Sequence, residues 1–153
     1  MMHKGHAHRL RTGRVSQAGQ IYLVTTVTKQ RRKIFRSLRA SRTLIGVLRE
    51  EETLNRARTL AFVVMPDHLH FVAGLKQGSI AQIMRSLKSY TAKEINLLLD
   101  REGAFWQPQY HDHAVRKDED LNEVVLYTLQ NPVRAGLVKD FHDYPYWYCR
   151  WDV

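Results

Sequence analysis

The sequence predicts an α+β domain in which helices pack on one antiparallel sheet. Three observations carry that prediction: strand-length runs of β-branched residues, two long stretches of helical period, and the order in which they alternate. Residues 21–28 (Ile-Tyr-Leu-Val-Thr-Thr-Val-Thr) are dense in β-branched side chains and read as the first strand. A basic turn, 29–33, follows. A helix is expected from Ser37 or Ser41 to Asn55, with Leu44, Ile45, Val47, Leu48 and Leu54 as its apolar stripe. Residues 60–65 and 68–75 read as two strands joined by Pro66-Asp67, a turn-compatible pair. Residues 79–99 return to helical spacing through Ile80, Ile83, Met84, Leu87, Tyr90, Ile95, Leu98 and Leu99, with Lys88 and Lys93 on the more polar faces. Residues 105–110 break that pattern, and 111–115 form a short candidate strand. Asp118-Glu119-Asp120 opens a further helix, with acids at its positive end. It carries Val124, Val125, Tyr127 and Leu129 and should stop near Asn131-Pro132, because the residue before a proline disfavours α geometry. The order β-α-β-β-α-β-α is a split βαβ pattern, for which a ferredoxin-like antiparallel sheet is the expected solution.

With 153 residues, 44% hydrophobic and 10% aromatic, the chain is expected to form one folded domain. Residues 1–13 are polar, hold three histidines and read as a flexible basic arm, leaving 14–153 as the domain. Cys149 is the single cysteine, which excludes an intrachain disulfide and a thiolate metal cluster and suits a reducing cytoplasm. There is no apolar leader-like run and no stretch of transmembrane length, so a cytoplasmic, soluble protein with no membrane association is expected.

Charge is distributed unevenly. Of the 24 Lys and Arg residues, 12 precede Glu50, and no Asp or Glu does; the remaining 104 residues carry 12 basic and 15 acidic groups. A block this one-sided, including Arg9, Arg11, Arg14, Lys29, Arg31, Arg32, Lys33, Arg36, Arg39 and Arg42, reads as a surface for polyanions, most simply nucleic-acid phosphate. A solvated tail followed by a basic helix is the plain alternative. An anionic membrane is disfavoured because the block lacks a wide apolar face.

The chemistry concentrates in residues 62–75. His68 and His70 stand one residue apart in an otherwise apolar run, so on a strand they point the same way while Leu69 points oppositely. Two imidazoles on one face are poor core material and a good start for a divalent metal site. Tyr127 and Asn131, four apart on the last predicted helix, share a face. Asn131 could offer its amide oxygen to a metal held by the histidines, with Tyr127 beside it. A hard cation, Mg²⁺ or Mn²⁺, with few protein ligands would leave positions open for phosphate oxygens. A phenol is a weak nucleophile at neutral pH, but a neighbouring cation makes it a plausible attacking group.

Three segments together resemble a known family. Val64-Met65-Pro66-Asp67-His68-Leu69-His70 resembles the His-hydrophobic-His motif of the single-tyrosine HUH transposases. Phe105-Trp106-Gln107-Pro108-Gln109-Tyr110-His111-Asp112-His113-Ala114-Val115-Arg116 is similar to the Trp-containing segment of one branch, and so is 127–138, Tyr-Thr-Leu-Gln-Asn-Pro-Val-Arg-Ala-Gly-Leu-Val. That branch is the REP-associated tyrosine transposases, relatives of insertion-sequence transposases that act on single-stranded DNA. Gly13-Arg14-Val15 and the strand holding Tyr22 fit as well, so the resemblance spans about residues 13–148.

The resemblance implies the HUH fold and a role for each residue. Tyr127 matches the nucleophile that attacks a phosphodiester, leaving a 5′-phosphotyrosine and a free 3′-hydroxyl. His68 and His70 match metal ligands. Asn131 takes the place of a third ligand that is Gln in better-known members, with one methylene less reach. The implied activity is cleavage and rejoining of hairpin DNA by metal-assisted transesterification, with no nucleotide cofactor. DNA contacts are expected from Arg14, Arg31, Arg32, Lys33, Lys88, Arg116 and Arg134. Trp106, Tyr110 and His111 could stack on unpaired bases, although Trp106 serves equally well as a core anchor. Relatives are monomers or dimers that exchange helices, so a homodimer is one expected assembly.

Three rival readings keep part of this pattern. A zinc protein could use His68, His70, His111 and His113 in a closed tetrahedral site, but would have no use for Tyr127 and Asn131. A domesticated hairpin-binding protein would keep the fold and lose the reaction. A relaxase or rolling-circle initiator shares the His-x-His and Tyr logic but not the Trp segment.

Overall fold

The computed structural model describes residues 19–153. The 1–13 arm and Arg14 lie outside the described residues. Strands β1 (Ile21–Val27), β2 (Ala57–Met65), β3 (His68–Leu75), β4 (His111–Ala114) and β5 (Trp147–Cys149) form one antiparallel sheet in the order β4-β1-β3-β2-β5. Strands β4-β1-β3-β2 have the ferredoxin-like order, with β1 and β3 central, and β5 extends the sheet beside β2. Helix α1 (Leu38–Thr53) links β1 to β2, and α2 (Ile80–Leu98) links β3 to β4. Helices α3 (Leu121–Leu129) and α4 (Asn131–Arg134) follow β4.

Strand alternation sorts the core into two layers. Tyr22, Val24, Phe62, Val64, Leu69 and Phe71 turn to one face and meet Leu44 and Leu48 of α1 and Ile83, Met84 and Leu87 of α2. On the other face Ala61 and Val72 lie under Val125 and Leu129 of α3, together with Phe141. Val63 and Met65 are covered by Tyr144, whose hydroxyl donates to the Val64 carbonyl at 2.6 Å. Burial pushes the Tyr144 phenol up to about 12, so it stays a donor.

Helix starts follow local chemistry. Ser79 and Gln82 form a reciprocal capping box at α2. Asp120 caps α3 by accepting from the Asn122 amide at 2.9 Å. The helix expected from Asp118 therefore starts at Leu121, because Asp120 is spent as the cap and Glu119 is turned back to His113. The expected stop at Asn131-Pro132 is a break: α3 ends at Leu129, and a four-residue helix begins at Asn131 with Pro132 near its start, where a missing N–H costs nothing.

Buried Glu51 accepts from Arg56 Nε and Nη2 at 2.8 and 2.7 Å, and Arg56 also donates to Ser86 Oγ, tying α1 to α2. At the sheet edge Arg150 pairs with Glu52 and donates to the Thr59 carbonyl at 2.9 Å, fastening β5. Among the described residues no helix is long and apolar enough to cross a membrane.

Candidate active site

His68 and His70 project from β3 on the α3 side of the sheet, the face opposite α1 and α2. Their rings meet edge to face with centroids 4.7 Å apart. Each Nδ1 is held from behind. His68 Nδ1 lies 2.6 Å from Asp67 Oδ1, and His70 Nδ1 lies 2.6 Å from the hydroxyl of Thr25, its cross-strand partner on β1. The Nε2 atoms carry no hydrogen bond among the described residues. Metal-binding histidines are oriented in this way, one ring nitrogen fixed by a partner and the other presented.

Burial, then repulsion from His68 and Arg134, pushes His70 down to about 3, so its imidazole is neutral at physiological pH. Burial works to raise the Asp67 carboxyl, but hydrogen bonds from His68 and Arg31 outweigh it and hold the group below its ordinary value. The donor set of two imidazoles, each braced at Nδ1, fits a divalent cation.

Tyr127 stands on the outer side of α3, 63% exposed. The Arg134 guanidinium lies 3.8 Å from its ring centroid and donates to the Tyr127 carbonyl at 2.8 Å. Asn131 is half-buried at the α3–α4 junction; its amide nitrogen donates to the Thr128 carbonyl at 3.2 Å, leaving the oxygen as its remaining ligand atom.

The expected DNA-contact residues fall into separate groups. Arg32 and Lys33 are exposed on the turn after β1, with Arg32 donating to Gln30 Oε1 at 3.0 Å. Arg31 shares that turn but reaches Asp67 Oδ2 at 3.1 Å. Lys88 is committed to the protein itself, donating to the Gln107, Pro108 and Gln109 carbonyls at 2.7, 3.3 and 3.4 Å. Trp106 is buried against Phe35 and Phe105 and donates from Nε1 to Thr91 Oγ1 at 2.9 Å. Of its two readings, the core anchor is the one the packing meets. Arg116 pairs with Asp118 at 3.3 Å. The basic block is also divided: Arg42 and Arg49 ride on α1, on the face away from the histidines.

The four-histidine zinc site is not assembled. His70 and His111 both pair with Thr25, so β1 separates the two histidine pairs, and His113 Nε2 lies 2.8 Å from Glu119. Among the described residues no three His, Cys, Asp or Glu side chains converge as a metal site.

Residues 16–130 match the family described as Transposase IS200 like. The chain belongs to that family. Two curated relatives are a REP-associated tyrosine transposase of Escherichia coli and a Haemophilus influenzae protein given the same name provisionally. The first is 32% identical over 88 residues, covering 56% of this chain and 50% of the relative. The second is 30% identical over 99 residues, covering 58% and 56%. The chain thus spans about half the length of the curated relatives it matches. A solved REP-associated tyrosine transposase bound to a REP hairpin superposes with a TM-score of 0.69 at 27% identity, covering 88% of this chain and 79% of that one.

Sequence reasoning missed Asp67 and Thr25. A carboxylate next to a candidate ligand histidine was a usable signal for Asp67. Thr25 was not findable, because only the β1–β3 register brings it to His70.

Proposed function

We propose that this IS200-like transposase cleaves and rejoins single-stranded hairpin DNA through Tyr127, using a divalent cation held by His68, His70 and the Asn131 amide oxygen. The observation that carries the reading is the pair of edge-to-face imidazoles on the α3 side of the sheet, each braced at Nδ1. Tyr127, on the helix that covers this same face, is an exposed phenol with the Arg134 guanidinium 3.8 Å from its ring centroid. The solved relative described as bound to a REP hairpin supports a hairpin as the substrate class.

Mg²⁺ or Mn²⁺ bound there would draw charge from a phosphodiester and make its phosphorus easier to attack. The Tyr127 oxygen attacks that phosphorus as its proton passes to solvent. The phosphorus–O3′ bond breaks, and the departing 3′ oxygen takes up a proton. The products are a 5′-phosphotyrosine and a free 3′-hydroxyl, with the number of phosphoester bonds unchanged, so no nucleotide cofactor is needed. Attack by another 3′-hydroxyl reverses the step and frees Tyr127. Arg134 restrains the phenol ring, and its remaining N–H groups suit a phosphate oxygen. Arg32 and Lys33 supply phosphate contacts beside the site.

Labelled hairpin oligonucleotide incubated with Mn²⁺ and protein tests this. Wild type is expected to give a covalent adduct stable to denaturation, and Tyr127→Phe none. Equal adduct from Tyr127→Phe would remove Tyr127 as the nucleophile.

A further inference from the structure

We propose that Asp67, braced by Arg31, is a positioning residue that sets the tautomer and aim of His68 as a cation ligand. The inference rests on the reading of His68 and His70 as ligands and adds to it which groups govern their affinity.

The two imidazoles are braced by different chemistry. Asp67 Oδ1 lies 2.6 Å from His68 Nδ1. An ionised carboxylate only accepts, so Nδ1 carries the hydrogen, and in the neutral imidazole that leaves the lone pair on Nε2. Thr25, at 2.6 Å from His70 Nδ1, has a hydroxyl that donates or accepts and dictates neither tautomer. Asp67 is therefore the brace that selects a state.

The second carboxylate oxygen is engaged by Arg31 at 3.1 Å. Arg31 reaches it from a turn whose backbone is left-handed at two successive non-glycine residues, Gln30 at φ 57° and Arg31 at φ 51°. Such residues are strained and persist only where the surroundings over-determine them. Here they do. The Thr28 amide donates to the Asp67 carbonyl at 2.9 Å, the Thr28 hydroxyl to the Arg32 carbonyl at 2.7 Å, and the Lys29 amide to the Phe105 carbonyl at 2.8 Å. The basic turn is thus stitched to the β2–β3 hairpin that carries Asp67. Arg31 is 63% exposed and Asp67 18%, an exposure at which an ion pair adds little stability. What the strained turn supplies is orientation. Arg31 and Arg32, neighbours in a basic run, accordingly do different work: Arg31 acts on the histidine, and Arg32 is left for phosphate.

The test measures Mn²⁺ affinity calorimetrically on the full chain without DNA, and reads the His68 tautomer in metal-free protein by long-range ¹H–¹⁵N NMR. Removing a carboxylate of this kind costs about 10–100-fold in metal affinity. Asp67→Ala is expected to weaken Mn²⁺ binding by about that factor and to move His68 toward the Nε2–H tautomer. Asp67→Asn, which keeps an acceptor, should retain the tautomer and lose less affinity. Arg31→Ala should weaken binding several-fold, and Arg31→Lys should restore most of it. Wild-type affinity and an unchanged tautomer in Asp67→Ala overturn the positioning role alone if the His68→Ala/His70→Ala variant loses binding. Wild-type Mn²⁺ affinity in that histidine variant overturns the ligand reading itself, and the proposal with it.

Discussion

The two faces of strand β3 are built from alternate residues of one sequence and behave as different materials. Leu69, Phe71 and Ala73 face α1 and α2 and are at most 2% exposed. His68 and His70, between and beside them, face the α3 side and are only partly covered. One face is sealed by two long helices. The other is covered by the nine-residue α3 and four-residue α4 together with Phe141 and Tyr144, and the imidazoles there are partly exposed. Rigidity for the histidine pair is thereby supplied by the opposite, sealed face. Substitutions should separate accordingly: those on the helical face cost stability, and those on the histidine face cost binding or reaction.

The largest stability effect should come from the sealed face. Leu69→Ala deletes a fully buried side chain and is expected to cost about 2–5 kcal/mol, seen as a shifted urea midpoint. His70→Ala should move that midpoint far less while removing Mn²⁺ affinity. Equal destabilisation by both would erase the distinction between the faces. Next is the buried pair behind α1. Arg56→Ala leaves the Glu51 carboxylate, 5% exposed, without its cation, and a loss of about 3 kcal/mol is expected. That is the low end for breaking a buried pair, because the Arg56 side chain is 29% exposed. Trp106→Phe sharpens the boundary further. It removes the donor to Thr91 and should cost about 1–2 kcal/mol with hairpin affinity unchanged apart from unfolding. A selective loss of DNA affinity would return Trp106 to the interface.

Arg32→Ala should leave stability unchanged and lower the salt slope of hairpin binding by about one. The smallest effect belongs to His142, whose side chain is about half exposed. The Val153 carbonyl, then Asp140, raise it above the usual imidazole value, so folding favours its protonated form. Its contribution is complete below the unfolded value and disappears as pH rises through the folded one. His142→Gln should flatten the pH dependence of Tm across that interval, and an unchanged profile would discount the contact.

Much of this was legible because local chemistry and fold agree. β3 begins and ends where its residue pattern does, and Ser79 marks the start of α2 through its own side chain. β5 was not legible: three residues, Trp147-Tyr148-Cys149, have no period to read, and the strand exists because β2 offers an edge. Lys88 and Arg31 looked like free cations, since nothing in a basic run tells which guanidinium or ammonium will meet a partner 36 residues away, as Arg31 does, or a row of loop carbonyls, as Lys88 does. The histidine pair was visible at once. Its braces were not, because one comes from a turn and the other from strand register.

The most direct test of the account is to digest the covalent protein–DNA adduct and locate the modified residue by mass spectrometry. The account predicts a phosphonucleotide on Tyr127, joined through the 5′ phosphate, formed only with divalent cation and lost in His68→Ala/His70→Ala. A nucleotide attached to any other residue, or an adduct formed equally well without the histidines, would contradict it.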